Sequence, residues 1–339
     1  MSKSRIIVAS EVSITEAARQ LSQGNLVGVP TETVYGLAAD ATNPAAVGKV
    51  FQAKGRPANN PLILHVHSAE AALRWVRVDS PQWLAEKWRL AASFWPGPLT
   101  VVVPRGEGVI DQVTAGAPTV AIRVPSHPVM RSLLATCEFP IAAPSANPSN
   151  YVSPTCARHV DEGLGEKVAM ILDGGDCESG LESTIIRLVQ EGVELLRPGG
   201  ISSEQLTATF GSVSFSPGAP AADSDPSGDL APMPAPGMLA KHYSPSKPLR
   251  KNDAWRADEI EPARVARIVF APLTDSEAAK FGWYRSISQN RNLNEVAQNL
   301  FTAIRDADAS QCDWIVIDEC ERAGIGRAIM DRIDRAQGS

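Results

Sequence analysis

From Ser212 to Leu239 the composition shifts abruptly to Pro, Ala, Ser, Gly and Asp, and no hydrophobic period survives. Such a tract is a linker, because it has no apolar face to bury and no regular element to carry one. It constrains the fold more than any other feature, since the chain on either side must build its own core. The 339 residues are in any case too many for one ordinary domain. The division that follows is a domain over 1–211, a linker over 212–245 and a second domain over 246–339. A hydrophobic fraction of 44% with 21% charged residues is enough for two cores and normal for a water-soluble chain.

The first domain reads as α/β. Arg5–Ala9 is a first strand, and Ser13 with Glu16 makes a capping box for a helix running to Gly24. Leu26–Val29 is a buried strand that Pro30 ends, having no N–H for the ladder. Asn43-Pro44 starts a helix with Val47, Val50 and Phe51 at helical spacing. Gly55 suits the left-handed residue after it, with Lys54 where the helix dipole favours a cation. Leu62–Val66 is the next strand. Ser68 caps a helix over Ala71–Val76, and Ser80-Pro81 opens one carrying Trp83, Leu84, Trp88 and Leu90, a core-like spacing.

Trp95–Thr100 is a rigid turn into the strand Val101–Val103. Thr119–Pro125 alternates as a strand with Arg123 on its polar face, and Ser126 and Pro128 open a helix through Leu134. Pro140–Asn147 is a strand into a turn, and Val168–Gly175 a strand into a glycine turn. Ser183–Leu188 and Val193–Gly199 form a hairpin, and Ser202 with Gln205 caps a helix ending near Gly211. Helices between strands make this one α/β unit. The second domain carries strands at Ala266–Phe270, Trp283–Ile287 and Trp314–Ile317, with helices from Asn292 to Ala307 and from Gly326 to Arg335. That is a small βαβ unit. Gly324-Ile325-Gly326 imitates a dinucleotide fingerprint but has Ile329 at the third glycine, so no cofactor site is read there.

Chemistry concentrates between Pro30 and His67. The run Pro30-Thr31-Glu32-Thr33-Val34-Tyr35-Gly36-Leu37 is rich in hydroxyls. Lys54 and Arg56 lie between a helix end and a strand start, with Asn60 following, where α/β folds place ligand-binding groups. An isolated Lys-Gly-Arg would be a cap and a solvated charge. Ser145 and Asn147 favour turns without any ligand, yet Ala142, Ala143 and Ala146 around them let the backbone approach one. His65 and His67 read as satisfied strand histidines; their spacing of two also suits a metal, which the lack of acidic or cysteine neighbours discounts.

The Lys-x-Arg pair, the overlapping Arg56-Pro57-x-x-Asn60-Pro61-Leu62, the Thr-Glu-Thr-Val-Tyr-Gly run, Trp95–Thr100 and Ser145-Ala146-Asn147 together resemble the YrdC/Sua5 threonylcarbamoyl-AMP synthases. The resemblance spans nearly the whole chain, including a His242-Tyr243-Ser244-Pro245 segment. It implies a YrdC-like twisted mixed sheet with helices, plus a small Rossmann-like Sua5 domain. It further implies synthesis of threonylcarbamoyl-adenylate from L-threonine, bicarbonate or CO2 and ATP, with release of pyrophosphate. A separate transferase then moves the group to adenosine 37 of tRNAs reading ANN codons.

By the same resemblance Lys54 and Arg56 are the catalytic cations. Arg56, Asn60, Thr119, Ala143 (by its backbone), Ser145, Asn147, Ser153, Arg197 and Tyr243 line ATP, while Thr33, His65, Arg123 and Ser183 hold threonine. Tyr243 is implied to fold back over the site, though the residues alone equally allow it to pack on the domain surface. Magnesium would bridge the phosphates with few or no protein ligands.

A net charge of −6 argues against a broad nucleic-acid surface, and so against a purely RNA-binding module, the rival role for this domain type. A carbamoyltransferase of the hydrogenase-maturation kind would need zinc-finger modules, and there is no Cys-x-x-Cys. Cys137, Cys156, Cys177, Cys312 and Cys320 read as free thiols in a reducing compartment. Without a signal-peptide pattern or a membrane-length apolar run, a cytoplasmic protein is expected.

Overall fold

Every residue of Val27–Val29 and Gly36–Asp40 is buried, which is the signature of a sheet covered on both faces. The computed structural model describes residues 5–215, 233, 235 and 242–337. Strands β1 (Ile6–Val8), β2 (Val27–Val29), β3 (Gly36–Asp40) and β4 (Ile63–His65) come first. They are followed by β5 (Leu99–Pro104), β6 (Thr119–Arg123), β7 (Ile141–Ala142) and β8 (Met170–Asp173). With β9 (Thr184–Leu188), β10 (Val193–Arg197) and β11 (Val213–Phe215) they form one mixed sheet in the order β1-β8-β2-β3-β7-β4-β6-β5-β9-β10-β11.

The period of two sorts side chains between the faces. Leu37 and Ala39 enter a core shared with the helices Pro44–Lys54 and Gln82–Ala92, while Ala38 meets the helices Glu11–Ser22 and Pro128–Thr136 on the other side. Further along that second face, Ile63, Val102, Ala121, Ile185 and Leu196 are covered by Ala235 from the linker instead. Beside this patch the register aligns His65 with Arg123 and Arg123 with Thr100.

A second sheet holds β12 (Leu249–Lys251), β13 (Val265–Val269), β14 (Trp283–Ser286) and β15 (Trp314–Ile317). All its pairs are parallel, in the order β12-β15-β13-β14, and the helices Leu293–Ala309 and Gly326–Gln337 pack on it. Its core takes in Val34, Val152 and Leu181 from the first domain, so the two domains share apolar interior. Around that seam Arg305 donates to the carbonyls of Val152 and Ser153 and the Tyr151 hydroxyl donates to Asp308 at 2.8 Å.

Several local expectations are corrected. The first helix is capped by Ser10, which accepts from Ser13 N–H at 3.2 Å while Ser13 Oγ accepts from Ser10 N–H at 2.8 Å. A serine at the third helical position closes the box as glutamate does, and Glu16 pairs with Arg19 and Gln20 instead. The His127 ring, not Ser126, caps Pro128–Thr136. Ala71–Val76 is a short helix, Ala69–Ala72, tightened into a 3-10 turn over Leu73–Trp75. Trp88 is buried as expected of a core residue, whereas Leu90 of the same helix is exposed. The span read as linker opens with β11, held parallel to β10. Strands β3 and β12 and the helices Asp111–Thr114 and Ala157–Leu164 are additions to the sequence reading.

Candidate active site

The open part of the second sheet face, beside the Ala235 patch, forms a narrow cleft. Thr33, Val34, Arg56, Ile63, His65, Arg123, Ala143, Pro144, Ser145, Glu182, Ser183, Arg197 and His242 line it. His65 and Arg123 stand at the carboxyl ends of the parallel strands β4 and β6, the usual place for a site in an α/β sheet.

Arg56 is pinned by its own loop. Its Nε donates to the Asn60 carbonyl at 2.9 Å, and Nη2 donates to Asn60 Oδ1 and the Pro61 carbonyl, both at 2.6 Å. Asn60 therefore orients the guanidinium and is not itself on the cleft wall. Arg197, at the end of β10, donates through Nε and Nη2 to the Ser183 carbonyl at 3.1 and 3.0 Å and through Nη2 to Ser183 Oγ at 3.2 Å. The two chain segments meet closely because residue 199 is glycine: a Cβ there would lie 2.3 Å from Thr184 N. Burial and the Arg197 charge push the Arg56 pKa down to about 9, which leaves it charged at neutral pH. Burial likewise lowers Arg197, aided by Arg332. The Arg197 charge thus disfavours that of Arg56, an arrangement that suits an anion between them.

Lys54 stands behind the cleft wall. It is buried, is absent from the cleft wall, and its Nζ donates to the Ser145 and Asn147 carbonyls, both at 2.6 Å. It fixes the turn that presents Ser145. Burial drives its pKa well below the ordinary lysine value, and the Arg56 charge adds to this. Asn147 donates to the Pro148 and Tyr151 carbonyls at 2.9 and 2.8 Å, so it holds the same turn from behind.

Arg123 faces Glu32 at 2.7 Å, both side chains buried. Burial pushes the Glu32 carboxyl up, but the Arg123 charge and hydrogen bonds prevail and its pKa is lowered. Thr33 Oγ1 lies 2.8 Å from Thr31 Oγ1, and Ser183 Oγ lies 2.7 Å from Thr100 Oγ1. Burial and the Arg123 charge bring His65 down to about 3, a neutral imidazole at the edge of the cleft. His242 is also neutral, its pKa far below normal through burial and then the charges of Arg56, Lys54, Arg197 and Arg332.

Thr33, Arg56, His65, Arg123, Ala143, Ser145, Ser183 and Arg197 are thus brought together in one cleft, while Lys54, Asn60, Asn147, Ser153, Thr119 and Tyr243 are not on its wall. Ser153 is buried and donates to Glu182. Thr119 lines a separate small cavity with Met233 and Ala235 of the linker. Tyr243 is buried between Phe301, centroids 5.4 Å apart, and Arg332, in a left-handed backbone conformation at φ 62°. Its neighbour His242 reaches the cleft in its place. Sequence reasoning missed Glu32, Glu182 and His242. Glu32 and His242 lie inside the motifs that were singled out; nothing local distinguishes Glu182.

Residues 19–199 match a family model described as telomere recombination, Sua5/YciO/YrdC, and residues 201–338 match the threonylcarbamoyl-AMP synthase C-terminal domain. The chain belongs to the Sua5/YrdC family. The threonylcarbamoyl-AMP synthase of Pyrococcus abyssi is 40% identical over 97% of this chain and 95% of its own length. That of Bacillus subtilis is 36% identical over 97% and 94%. The crystal structure of P. abyssi Sua5 complexed with L-threonine superposes with a TM-score of 0.85 at 37% identity, covering 98% of this chain and 96% of that one. The two-domain architecture, a large mixed sheet with a small parallel one, is therefore that of a Sua5 protein.

Proposed function

We propose that the chain joins L-threonine, bicarbonate or CO2, and ATP into threonylcarbamoyl-AMP, releasing pyrophosphate. The observation that carries this reading is the meeting in one cleft of Arg56 and Arg197 with Arg123, Thr33 and His65. The first pair suits a polyphosphate, and the remainder suits a small amino acid.

The threonine ammonium gives one proton to solvent, and the free amine adds to CO2 and releases a second, giving a carbamate anion. A carbamate oxygen then forms a bond to the α-phosphorus of ATP as the bond to the bridging oxygen breaks, and pyrophosphate leaves. Bringing an anion onto a polyanion needs cations and orientation more than a strong base. Arg56 and Arg197 screen the phosphates; charge-assisted hydrogen bonds of this kind contribute about 1.5–3 kcal/mol each. Arg123 takes the threonine carboxylate, Thr33 and Ser183 its polar atoms, and neutral His65 a further hydrogen bond. Ser145 and the Ala143 backbone approach the nucleotide on the turn that Lys54 holds. Magnesium arrives with ATP as the substrate complex; among the described residues no three metal-type side chains cluster.

The product is an activated acyl donor, used by a separate transferase on adenosine 37 of tRNA in the cytoplasm. No helix among the described residues is long and apolar enough to cross a membrane. Incubation with ATP, threonine and bicarbonate, followed by mass spectrometry, is the direct test. An adenylated carbamate and equimolar pyrophosphate are expected. Tight tRNA binding with no ATP consumption would instead support the RNA-binding alternative.

A further inference from the structure

An anion-binding cleft holds a buried carboxylate, Glu182, on its own wall. Glu182 Oε1 accepts from the Ser153 hydroxyl, and Oε2 accepts from Arg332 Nε at 2.8 Å. Arg332 has no solvent exposure and comes from the last helix of the second domain. Its Nη1 donates to Asp331, its Nη2 to the Pro198 carbonyl at 3.0 Å, and its Cζ lies 5.0 Å from the centroid of the Tyr243 ring. The other oxygen of Asp331 accepts from Arg335 at 2.9 Å. Glu182, Asp331, Arg332 and Arg335 together sum to zero charge.

Building on the proposed nucleotide cleft, we propose that Arg332 is a positioning residue for the phosphates: from the second domain it neutralises Glu182, which would otherwise compete for Arg56 and Arg197. Without Arg332 the carboxylate faces Arg197, which it already influences, and Arg56 on the same wall, and turns toward them. A triphosphate entering the cleft then meets a repelling charge and occupied donors. Threonine, held around Arg123, is spared.

The test measures binding of magnesium α,β-methylene-ATP by calorimetry, alongside threonine binding and steady-state kcat and KM. The full-length wild type is compared with Arg332→Met, Arg332→Lys, Glu182→Gln and the double variant Arg332→Met/Glu182→Gln. Arg332→Met is expected to weaken the nucleotide by about tenfold or more, with threonine affinity within about threefold. Arg332→Lys, keeping the charge, retains most of the affinity, and Glu182→Gln alone tightens it. Adding Glu182→Gln to Arg332→Met recovers most of the loss, because the carboxylate that caused it is gone. Equal losses for ATP and threonine, a fall in kcat alone, or a double variant as weak as Arg332→Met would overturn the assignment. Should Arg332→Met fail to fold, the double variant decides, since it buries no unpaired charge: nucleotide binding more than about tenfold weaker than wild type counts against the proposal. A wild type that binds no nucleotide is a failure of the parent reading, separate from these outcomes.

Discussion

Replacing Glu32 by Gln removes one charge of a deeply enclosed ion pair at the cleft. The Arg123 and Glu32 side chains are 4% and 7% exposed, with Nη2 and Oε1 2.7 Å apart. Removing one member of such a pair leaves a buried charge uncompensated, at a typical cost of about 3–5 kcal/mol. Glutamine keeps the size and polarity of the side chain, so the loss falls at the low end, about 3 kcal/mol at pH 7. The pH dependence has a definite sign. The Glu32 pKa is lowered in the folded chain from its ordinary 4.5. Its contribution is therefore complete above that ordinary value and disappears as pH falls through the lower folded one. Glu32→Gln should lose stability at neutral pH and show less of a further decline in acid.

Threonine adds a second reading of the same experiment. Nε and Nη2 of Arg123 have no hydrogen-bond partner among the described residues, and a ligand carboxylate would supply both partners and the missing counter-charge. At 100 times its Kd a ligand stabilises by about 2.7 kcal/mol. In Glu32→Gln the threonine-induced gain in a urea melt should exceed that in the wild type at the same threonine concentration. A loss below about 1 kcal/mol, or identical threonine gains in both proteins, would refute the account of Arg123 as a cation held ready for a carboxylate.

Arg56→Lys should weaken ATP by about tenfold or more in a binding isotherm, because one ammonium cannot keep the three bonds to Asn60 and Pro61 and still leave the donors that Nη1 offers a phosphate. Lys54→Met should destabilise the chain by about 1–3 kcal/mol in denaturant melts, since it orphans the Asn147 carbonyl, while that of Ser145 keeps the Asn147 N–H at 3.0 Å. Its loss of turnover should appear as weaker nucleotide binding, through the misplaced Ser145. Arg305→Met strands the Val152 and Ser153 carbonyls at the domain seam. A drop of about 1–3 kcal/mol with faster hydrogen exchange over residues 151–155 is expected, and unchanged exchange there would count against a shared interior.

Local chemistry made much of the fold readable. Asn43-Pro44 and Gly55 fixed the helix that ends at Lys54, and the observed caps are those residues. Ser202 with Gln205 did the same for Ser203–Phe210. Strand β3 was hidden because Gly36, Leu37, Ala38, Ala39 and Asp40 are all buried, so no alternation marks them. The helix Ala157–Leu164 had no side-chain N-cap to announce it. In the cleft, Arg56 and Ser145 were legible from motif chemistry. The position of Lys54 was not, since a lysine ammonium serves a phosphate or two carbonyls equally well until the turn opposite is placed. Glu182 and Arg332 lie 150 positions apart, and only the docking of the two domains makes them neighbours.

That docking has a further consequence through Val34, Val152 and Leu181, which the second domain covers. A fragment cut after the first sheet would leave these three side chains wet, with Val34 at the very rim of its binding site. The quickest remedy for such a fragment is to stick to a copy of itself, rim against rim. Each would then plug the other, and the severed half would fail as a receptor before it failed as a fold.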